Sequence, residues 1–421
     1  MKKIESAEIL CVGTELLMGH TLNTNSGYLA TQLSNLGIPS YRQIVIGDNP
    51  RRLKEQILDC ARRSDLVILT GGLGPTADDI TMEMAACAAG RSLCLHQPSL
   101  THLESFFQKI GRPMTENNRK QAYMPEGAEV FPNTNGTAPG ALFSCPAPSA
   151  EDPEHEAVLV LLPGPPSEMK PMFELSLRPF LEPRAPFRLR TAYVHLIGIG
   201  ESAAETRIRD MIDSQENPTI APYAAEGECM FRVTQRIDSD DSPDLLTPVL
   251  DELKSRFGEL IYEIGPRSMK EVVLNLLKER GKTVAFAESC TGGLVAASFT
   301  DLPGVSEVFV GGVIAYDNRI KEELLGVPPS ILETEGAVSE ACAALMAEGL
   351  RERMKVDIAV SVTGIAGPSG GTEEKPVGLV FLALADEKGT VVVRLNPRGN
   401  RLRVRNVACL EAMNLIRKSL L

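Results

Sequence analysis

The sequence predicts an α/β protein built on parallel sheets, and three observations carry that reading. From Ala7 to Thr70, strand-like and helix-like stretches alternate: Ala7 to Val12, Asn25 to Leu36, Tyr41 to Ile46, Arg51 to Arg63 and Leu66 to Thr70. Such alternation folds as a parallel sheet wrapped by helices. Glycine and proline gather just past strand ends, at Gly71, Gly72, Gly74 and Pro75 and again at Pro163, Gly164, Pro165 and Pro166. Open α/β sheets bind ligands outside those carboxyl ends. Near Ala287 a second apolar, β-branched run gives way to a helical pattern through a glycine-rich turn, which opens a further α/β unit.

A chain of 421 residues is long enough for two or three domains, each with its own core. Its net charge of −12 and pI near 5.1 argue against a protein that gathers nucleic acid by neutralising phosphates, so direct nucleic-acid binding is not expected. Glu5 and Glu8 interrupt Met1 to Gly13 before a leader-length apolar run can form. The strongest apolar run, Ala157 to Pro166, is short and ends in prolines, so no membrane segment is expected either. Nine cysteines, odd in number and never spaced as CxxC, fit a reduced cytoplasm.

Between the two glycine-rich regions, Ser144 to Glu156 is rich in Pro, Ala, Ser and acid and reads as a solvated loop. Turn chemistry near Leu181 to Pro186 marks a change of character. A compact α+β unit follows: strand Arg188 to Ile197, helix Glu201 to Ile212, strands near Thr219 to Pro222 and Cys229 to Arg236, and helix Pro243 to Phe257. Its Gly198-Ile199-Gly200 loop has the outline of a phosphate cradle, but a lone GxG between strand and helix is a weak signal and reads as a structural turn. Gly265 and Pro266 mark a second boundary, which gives domains at 1–181, 182–263 and 264–421. Helix Met269 to Arg280 and strand Thr283 to Ala287 then lead into the serine block.

In that block, Ala-Glu-Ser-Cys-Thr-Gly-Gly at 287–293 puts the Ser289 hydroxyl at a strand-to-helix junction, where first-turn amides could face a developing negative charge. Ser289 could also be an ordinary N-cap. All five histidines, His20, His96, His102, His155 and His195, precede it, so a Ser-His-Asp triad would need an earlier domain to reach over. The base is then a lysine, tyrosine or carboxylate, and Tyr316 and Lys321 follow the next apolar strand. A desolvated lysine can accept a hydroxyl proton, although Lys321 also reads as a surface lysine ahead of Glu322 and Glu323. Cys290 is the rival nucleophile, with only a helix terminus to activate it. A third block, Ser361 to Gly378, joins two apolar strands and includes Thr363, Gly364 and Gly367. Arg401, opening the C-terminal helix, could clamp a phosphate or be solvated.

The first domain carries its own constellation: Gly13, Thr14 and Glu15 after the first strand, Asn23 and Asn25 in the next loop, and Thr70 to Thr81. Amides from Gly71 to Gly74 can cradle a phosphate, while Asp78 and Asp79 open a helix as caps or as ligands of a hard divalent ion.

These blocks carry a resemblance. AESCTGG at 287–293, Tyr-Asp-Asn at 316–318 with Lys321, GAVSE at 336–340, TGIAGPSGGTEEKPVG at 363–378 and Gly-Asn-Arg at 399–401 resemble the nicotinamide-nucleotide amidohydrolase domain, in order. With NTNGTAPG at 133–140 and LPGPPSEM at 162–169, the N-terminal set resembles the molybdopterin-binding-like domain. A KH-like unit between them completes the order of the competence/damage-inducible protein A (CinA) family. That resemblance implies deamidation of nicotinamide mononucleotide to nicotinic acid mononucleotide and ammonia. Ser289 would be the nucleophile, Lys321 or Tyr316 would manage its proton, amides near Thr291 and Gly292 would hold the oxyanion, and Gly293, Thr363, Gly364, Gly367 and Arg401 would bind substrate. The family's usual aspartate before that arginine is Asn400 here.

For the first domain the resemblance implies ADP-ribose hydrolysis, with Gly71, Gly72, Gly74, Thr76, Asn23, Asn25 and Asn135 on the substrate. Asp78, Asp79, Glu15 and Glu168 would hold a divalent metal (Mg, Mn or Co), and the C-terminal domain would need no cofactor. A homodimer is implied as well. RNA binding by the KH-like unit is not, because a GxxG clamp with flanking basic residues is missing from its loops. A regulatory protein of competence or DNA-damage response with an inactive N-terminal pocket is the alternative, and molybdopterin handling rests on fold likeness alone.

Overall fold

The computed structural model describes residues 2–148, 152–238 and 241–421. Its contacts divide it into two compact units, Met1–Arg190 with Arg236–Ser242 and Thr191–Gln235 with Pro243–Leu421.

The strands of the first unit are β1 (Ala7–Val12), β2 (Ser40–Ile46), β3 (Leu66–Thr70), β4 (Leu93–Leu95), β5 (Tyr123–Pro125), β6 (Glu129–Phe131), β7 (Gly140–Pro146) and β8 (Glu156–Leu162). Six form one sheet in the order β2-β1-β3-β8-β7-β6, parallel from β2 to β8 and antiparallel beyond, while β4 and β5 pair with each other. Successive residues of a strand face opposite sides, and β1 shows the consequence. Leu10 and Val12 pack with Leu53 and Ile57 in one core, whereas Ile9 and Cys11 pack with Leu29 and Leu33 in another. Both faces are covered, which is why the central strands read as unbroken apolar runs.

The covering helices are α1 (Thr14–Leu17), α2 (Thr24–Asn35), α3 (Pro50–Ala61), α4 (Thr81–Ala88), α5 (Gln97–Lys109), α6 (Pro166–Met172) and α7 (Arg178–Leu181). Asn49 caps α3 by accepting the Arg52 N–H at 3.1 Å, with Pro50 at the first helical position. The stretch 144–156 is not simply a loop: Ser144 to Pro146 lie in β7 and Glu156 opens β8, and the two strands pair. Residues 149–151 of that stretch lie outside the described residues.

The second unit begins with a four-stranded sheet in the order β10-β11-β9-β12, made of β9 (Arg188–Ile197), β10 (Thr219–Ala225), β11 (Glu228–Ile237) and β12 (Ile261–Ile264). Its helices are α8 (Glu201–Arg207), α9 (Arg209–Asp213) and α10 (Leu246–Phe257). The helix expected over 201–212 is therefore split at Ile208, whose φ of −122° and ψ of 21° leave the helical region. The helix expected from Pro243 starts at Leu246.

A five-stranded sheet follows, β14-β13-β15-β16-β17, from β13 (Val284–Glu288), β14 (Phe309–Ile314), β15 (Ile358–Gly364), β16 (Val380–Asp386) and β17 (Gly389–Leu395). Its first three strands are parallel and its last two antiparallel. The helices α11 (Met269–Arg280), α12 (Leu294–Thr300), α13 (Asn318–Leu325), α14 (Pro329–Thr334), α15 (Glu340–Met354) and α16 (Arg401–Leu420) flank it. The β10–β11 turn rests on α16: Gly227 turns with φ +91°, where a Cβ would lie 3.0 Å from Leu410 and 3.3 Å from Val407. Beside it, Asn406 Nδ2 donates to Glu226 Oε2 at 2.6 Å. Among the described residues no helix is long and apolar enough to cross a membrane.

Candidate active sites

In the first unit the carboxyl ends of β1, β3 and β8 surround a cavity of 520 Å³. Gly71 turns with φ +101° so close to β1 that a Cβ would lie 2.2 Å from the Val12 carbonyl oxygen, a position only glycine fills. Thr70 Oγ1 donates to Pro163 O at 2.9 Å, and Asn25 Nδ2 donates to Thr70 Oγ1 at 3.0 Å and to Gly164 O at 2.7 Å. One side chain thus ties α2 to the glycine loop and the proline loop. Asn25 is buried and its Oδ1 has no partner, a deficit that a ligand's donor would relieve. Gln121 Nε2 holds the Leu73 carbonyl at 3.2 Å, fixing the far side of the glycine loop.

Three of the four expected carboxylates share the cavity and one does not. Glu15, Asp79 and Glu168 line the cavity wall, but Asp78 is exposed and outside it. Asp79 Oδ2 accepts the Thr76 N–H at 2.9 Å and the Thr76 hydroxyl, capping its own turn, and Glu168 Oε2 accepts from Asn133 Nδ2 at 2.7 Å. Among the described residues no group of three or more His, Cys, Asp or Glu is placed to hold a metal ion. Hydrogen bonding from Thr76 and from backbone holds the exposed Asp78 carboxyl below its usual range.

Asn23, Thr76 and Asn135 also have structural work. Asn23 lines the cavity while its side chain accepts the Ser26 N–H at 3.2 Å as the cap of α2. Thr76 serves the Asp79 turn, and Asn135 Nδ2 donates to Ser167 O at 2.8 Å, bracing one loop on another.

In the C-terminal sheet the carboxyl ends of adjacent strands β13, β14 and β15 bring three of the sequence blocks together. Ser289 follows β13, half-buried, and its N–H donates to Val362 O in β15 at 2.9 Å. Of the amides expected to face an oxyanion, that of Gly292 is already taken. The buried Glu288 carboxylate accepts from Gly293 N at 2.9 Å, Val295 N at 3.1 Å and Ala296 N at 2.8 Å, and the Gly292 N–H returns to Ser289 O. Thr291 is buried, and its hydroxyl has no partner.

Lys321 is 1 % exposed in the first turn of α13. Its Nζ donates to Ala315 O at 2.8 Å and Tyr316 O at 3.2 Å, carbonyls at the end of β14. Burial holds its ammonium below the usual lysine range, partly offset by Cys342, Asp317 and Cys290. Burial likewise pushes the Cys290 thiol up to about 11, so it is a protonated thiol at neutral pH and a poor nucleophile. Tyr316 is 61 % exposed and its hydroxyl accepts from Arg401 Nη2 at 3.2 Å.

Arg401 also donates to Gly367 O at 2.9 Å, joining the first turn of α16 to the third block. Asn400 caps α16 through the Arg403 N–H at 2.9 Å, work that asparagine does as well as aspartate. Thr363 Oγ1 donates to Ala337 O at 2.7 Å and Lys375 Nζ to Val338 O at 2.8 Å, so the third block fastens GAVSE.

Comparison with known proteins agrees with this layout. The "Probable molybdopterin binding domain" family model matches residues 8–183, the "Damage-inducible protein CinA KH domain" model residues 191–262, and the "CinA C-terminal domain" model residues 266–420. A CinA-like protein of Dictyoglomus thermophilum is 47% identical over 415 residues, covering 98% of this chain and 99% of the relative. The chain belongs to the CinA family. A CinA-like protein of Kosmotoga olearia is 45% identical over 99% of each chain. Among solved structures, the competence/damage inducible protein CihA from Agrobacterium tumefaciens is 38% identical, covering 37% of this chain and 96% of its own, with a TM-score of 0.35.

Within the CinA frame, the sequence placed Ser289, Lys321, Tyr316, Thr363, Gly367 and Arg401 in blocks that the fold gathers at one sheet edge. It missed Glu288 and Arg405. Arg405 Nη2 donates to Thr291 O at 2.6 Å, and its Nε is buried without a partner. The signal was available: Arg405 stands four residues after Arg401, on the same helix face.

Proposed function

We propose that the C-terminal domain hydrolyses the carboxamide of nicotinamide mononucleotide, with Ser289 as nucleophile and Lys321 as its base. The observation that carries this is an amine buried against the carbonyls of Ala315 and Tyr316 just past β14, with the half-buried Ser289 just past the adjacent strand β13. A neutral lysine has two N–H groups and one lone pair; the carbonyls of Ala315 and Tyr316 take the two donors and leave the lone pair to accept a proton. Ser289 Oγ attacks the amide carbon and its proton passes to Lys321 Nζ. The C–N bond then breaks, and ammonia leaves with that proton. Water hydrolyses the resulting ester and frees the acid. The unpartnered Thr291 hydroxyl supports a role on substrate oxygen, and Arg401 supplies the cation for the phosphate. Tyr316, tied to Arg401, fits substrate contact better than proton transfer.

Ammonia release from nicotinamide mononucleotide by the intact chain is the test. Ser289→Ala should abolish it and Lys321→Met should reduce it by about 10²-fold or more. Undiminished release from Ser289→Ala would sink the reading.

For the first unit we infer a pocket for a diphosphate-bearing nucleotide such as ADP-ribose, carried by the glycine loop at the carboxyl ends of β1, β3 and β8. This leaves room for the second reading, a binding pocket without chemistry in a protein whose relatives are named for competence and damage induction. ADP-ribose turnover with Mg, Mn or Co added separates the two, with loss in Asp79→Asn and Glu15→Gln expected only for the enzymatic one. A homodimer in the cytoplasm completes the proposal, and a light-scattering mass of one chain would remove the dimer.

A further inference from the structure

The C-terminal helix α16 has two working sides. On one, Arg401, Arg405 and Cys409 follow each other at four-residue spacing, each one turn above the last. Arg401 reaches Gly367 O and the Tyr316 hydroxyl, Arg405 reaches Thr291 O in the nucleophile loop, and Cys409 Sγ lies 3.2 Å from Ser298 Oγ of α12. That row serves the candidate deamidase site.

The other row, Asn406, Leu410, Asn414 and Arg417, meets the KH-like unit. Asn406 Nδ2 donates to Glu226 Oε2 in the β10–β11 turn at 2.6 Å, and Gly227 of that turn sits over Leu410 and Val407. Its φ of +91° and the 3.0 Å left for a Cβ beside Leu410 make this a close approach that glycine alone fits without strain. Further along, Asn414 and Arg417 are buried, and the Arg417 guanidinium donates to Asn414 Oδ1 at 3.1 and 3.0 Å. Burial holds that guanidinium below the usual arginine range, and Glu259 of the KH-like unit is the largest offset. Ile197 and Tyr262 of the same unit join one core with Met413, Ile416 and Leu420 of α16. The far end of the helix is therefore set in a shared core, and its near end rests on a turn.

Asn406 stands about 7–8 Å along the helix axis from Arg401, and a hydrogen-bonded helix carries a displacement over that distance as a rigid element. The reacting groups have other anchors: Ser289 N–H is bonded to β15 and Lys321 Nζ to the carbonyls past β14. A shift of α16 should thus be felt at the substrate's phosphate more than at its amide.

We propose that the β10–β11 turn braces the phosphate end of the C-terminal site, with Glu226 and Gly227 as positioning residues that act through α16 on Arg401. The KH-like unit thereby sets how tightly the neighbouring domain grips its nucleotide. This rests on the deamidase reading above and extends it to residues outside the C-terminal domain.

Steady-state ammonia release from nicotinamide mononucleotide by the intact chain tests it. Glu226→Ala and Asn406→Ala should each raise KM about fivefold with kcat within twofold, the pattern of lost binding rather than lost chemistry. Gly227→Val, which forces a side chain against Leu410, should raise KM at least as much. Inorganic phosphate, used as a competitor, should weaken in step with KM. Glu226→Gln keeps an oxygen for Asn406 and should return KM to within twofold of the unaltered chain. If KM stays within twofold in both alanine variants, the brace is overturned while the deamidase reading stands. An equal fall of kcat in Glu226→Ala and Glu226→Gln would also overturn it, since that marks damage to the fold and not loss of one contact. No ammonia from the unaltered chain would overturn both.

Discussion

Glu288 is hidden in the sequence by the serine beside it. Its buried carboxylate accepts three backbone N–H groups at the start of α12, and hydrogen bonds to a charged group contribute about 1.5–3 kcal/mol each. Glu288→Gln turns one acceptor into a donor that faces an N–H. We expect a loss of roughly 2–3 kcal/mol in urea denaturation, with ammonia release falling as the Ser289 loop loosens. Lys321 sets the pH dependence. Its protonated form cannot accept the serine proton, so ammonia release should rise with pH and level off below the ordinary lysine value of about 10.4. The same lowered value means that the unfolded chain binds more protons between the folded and unfolded values. Stability should therefore rise with pH across that window, and Lys321→Met should flatten the rise in pH-dependent denaturation.

At the scale of elements, the C-terminal sheet is stapled at its amino ends by Asp357, which accepts from Thr283 N at 2.8 Å and Thr283 Oγ1 at 2.7 Å. The Thr283 backbone N–H is the main reason its carboxyl sits below the usual range. A lowered carboxylate contributes stability above its unfolded value of about 3.9 and loses it as pH falls. Asp357→Asn should thus differ from the unaltered chain near pH 6 and converge on it near pH 2 in acid denaturation. The parallel strands were legible because burial on both faces leaves unbroken apolar runs such as Leu66–Thr70. The break at Ile208 was not, since neither glycine nor proline marks it. Within the sites, Asn23, Asp317, Ser339 and Asn400 all cap helices. Sequence could not separate caps from ligands there, because a side-chain oxygen that serves a helix N–H has the same chemistry as one that serves a substrate. The blocks fixed which loops matter, while the use of each polar atom depended on three-dimensional neighbours such as Arg405.

For the whole molecule, the two candidate sites belong to different compact units and have no lining residue in common. Ser289→Ala should therefore leave ADP-ribose affinity within twofold by calorimetry, and Leu22→Ala should leave ammonia release unchanged. The turn at Gly227, seated on Val407 and Leu410, has a consequence for how the chain could be taken apart. The C-terminal domain ends in a helix whose outer side is upholstered by its neighbour, so excising 265–421 would strip Val407 and Leu410 bare. Such a fragment should self-associate in light scattering, and Val407→Lys with Leu410→Glu should restore a dispersed species. A free-standing relative of this domain would need polar residues at those two places, which makes them a signature of whether a sequence was shaped for life alone or in tandem.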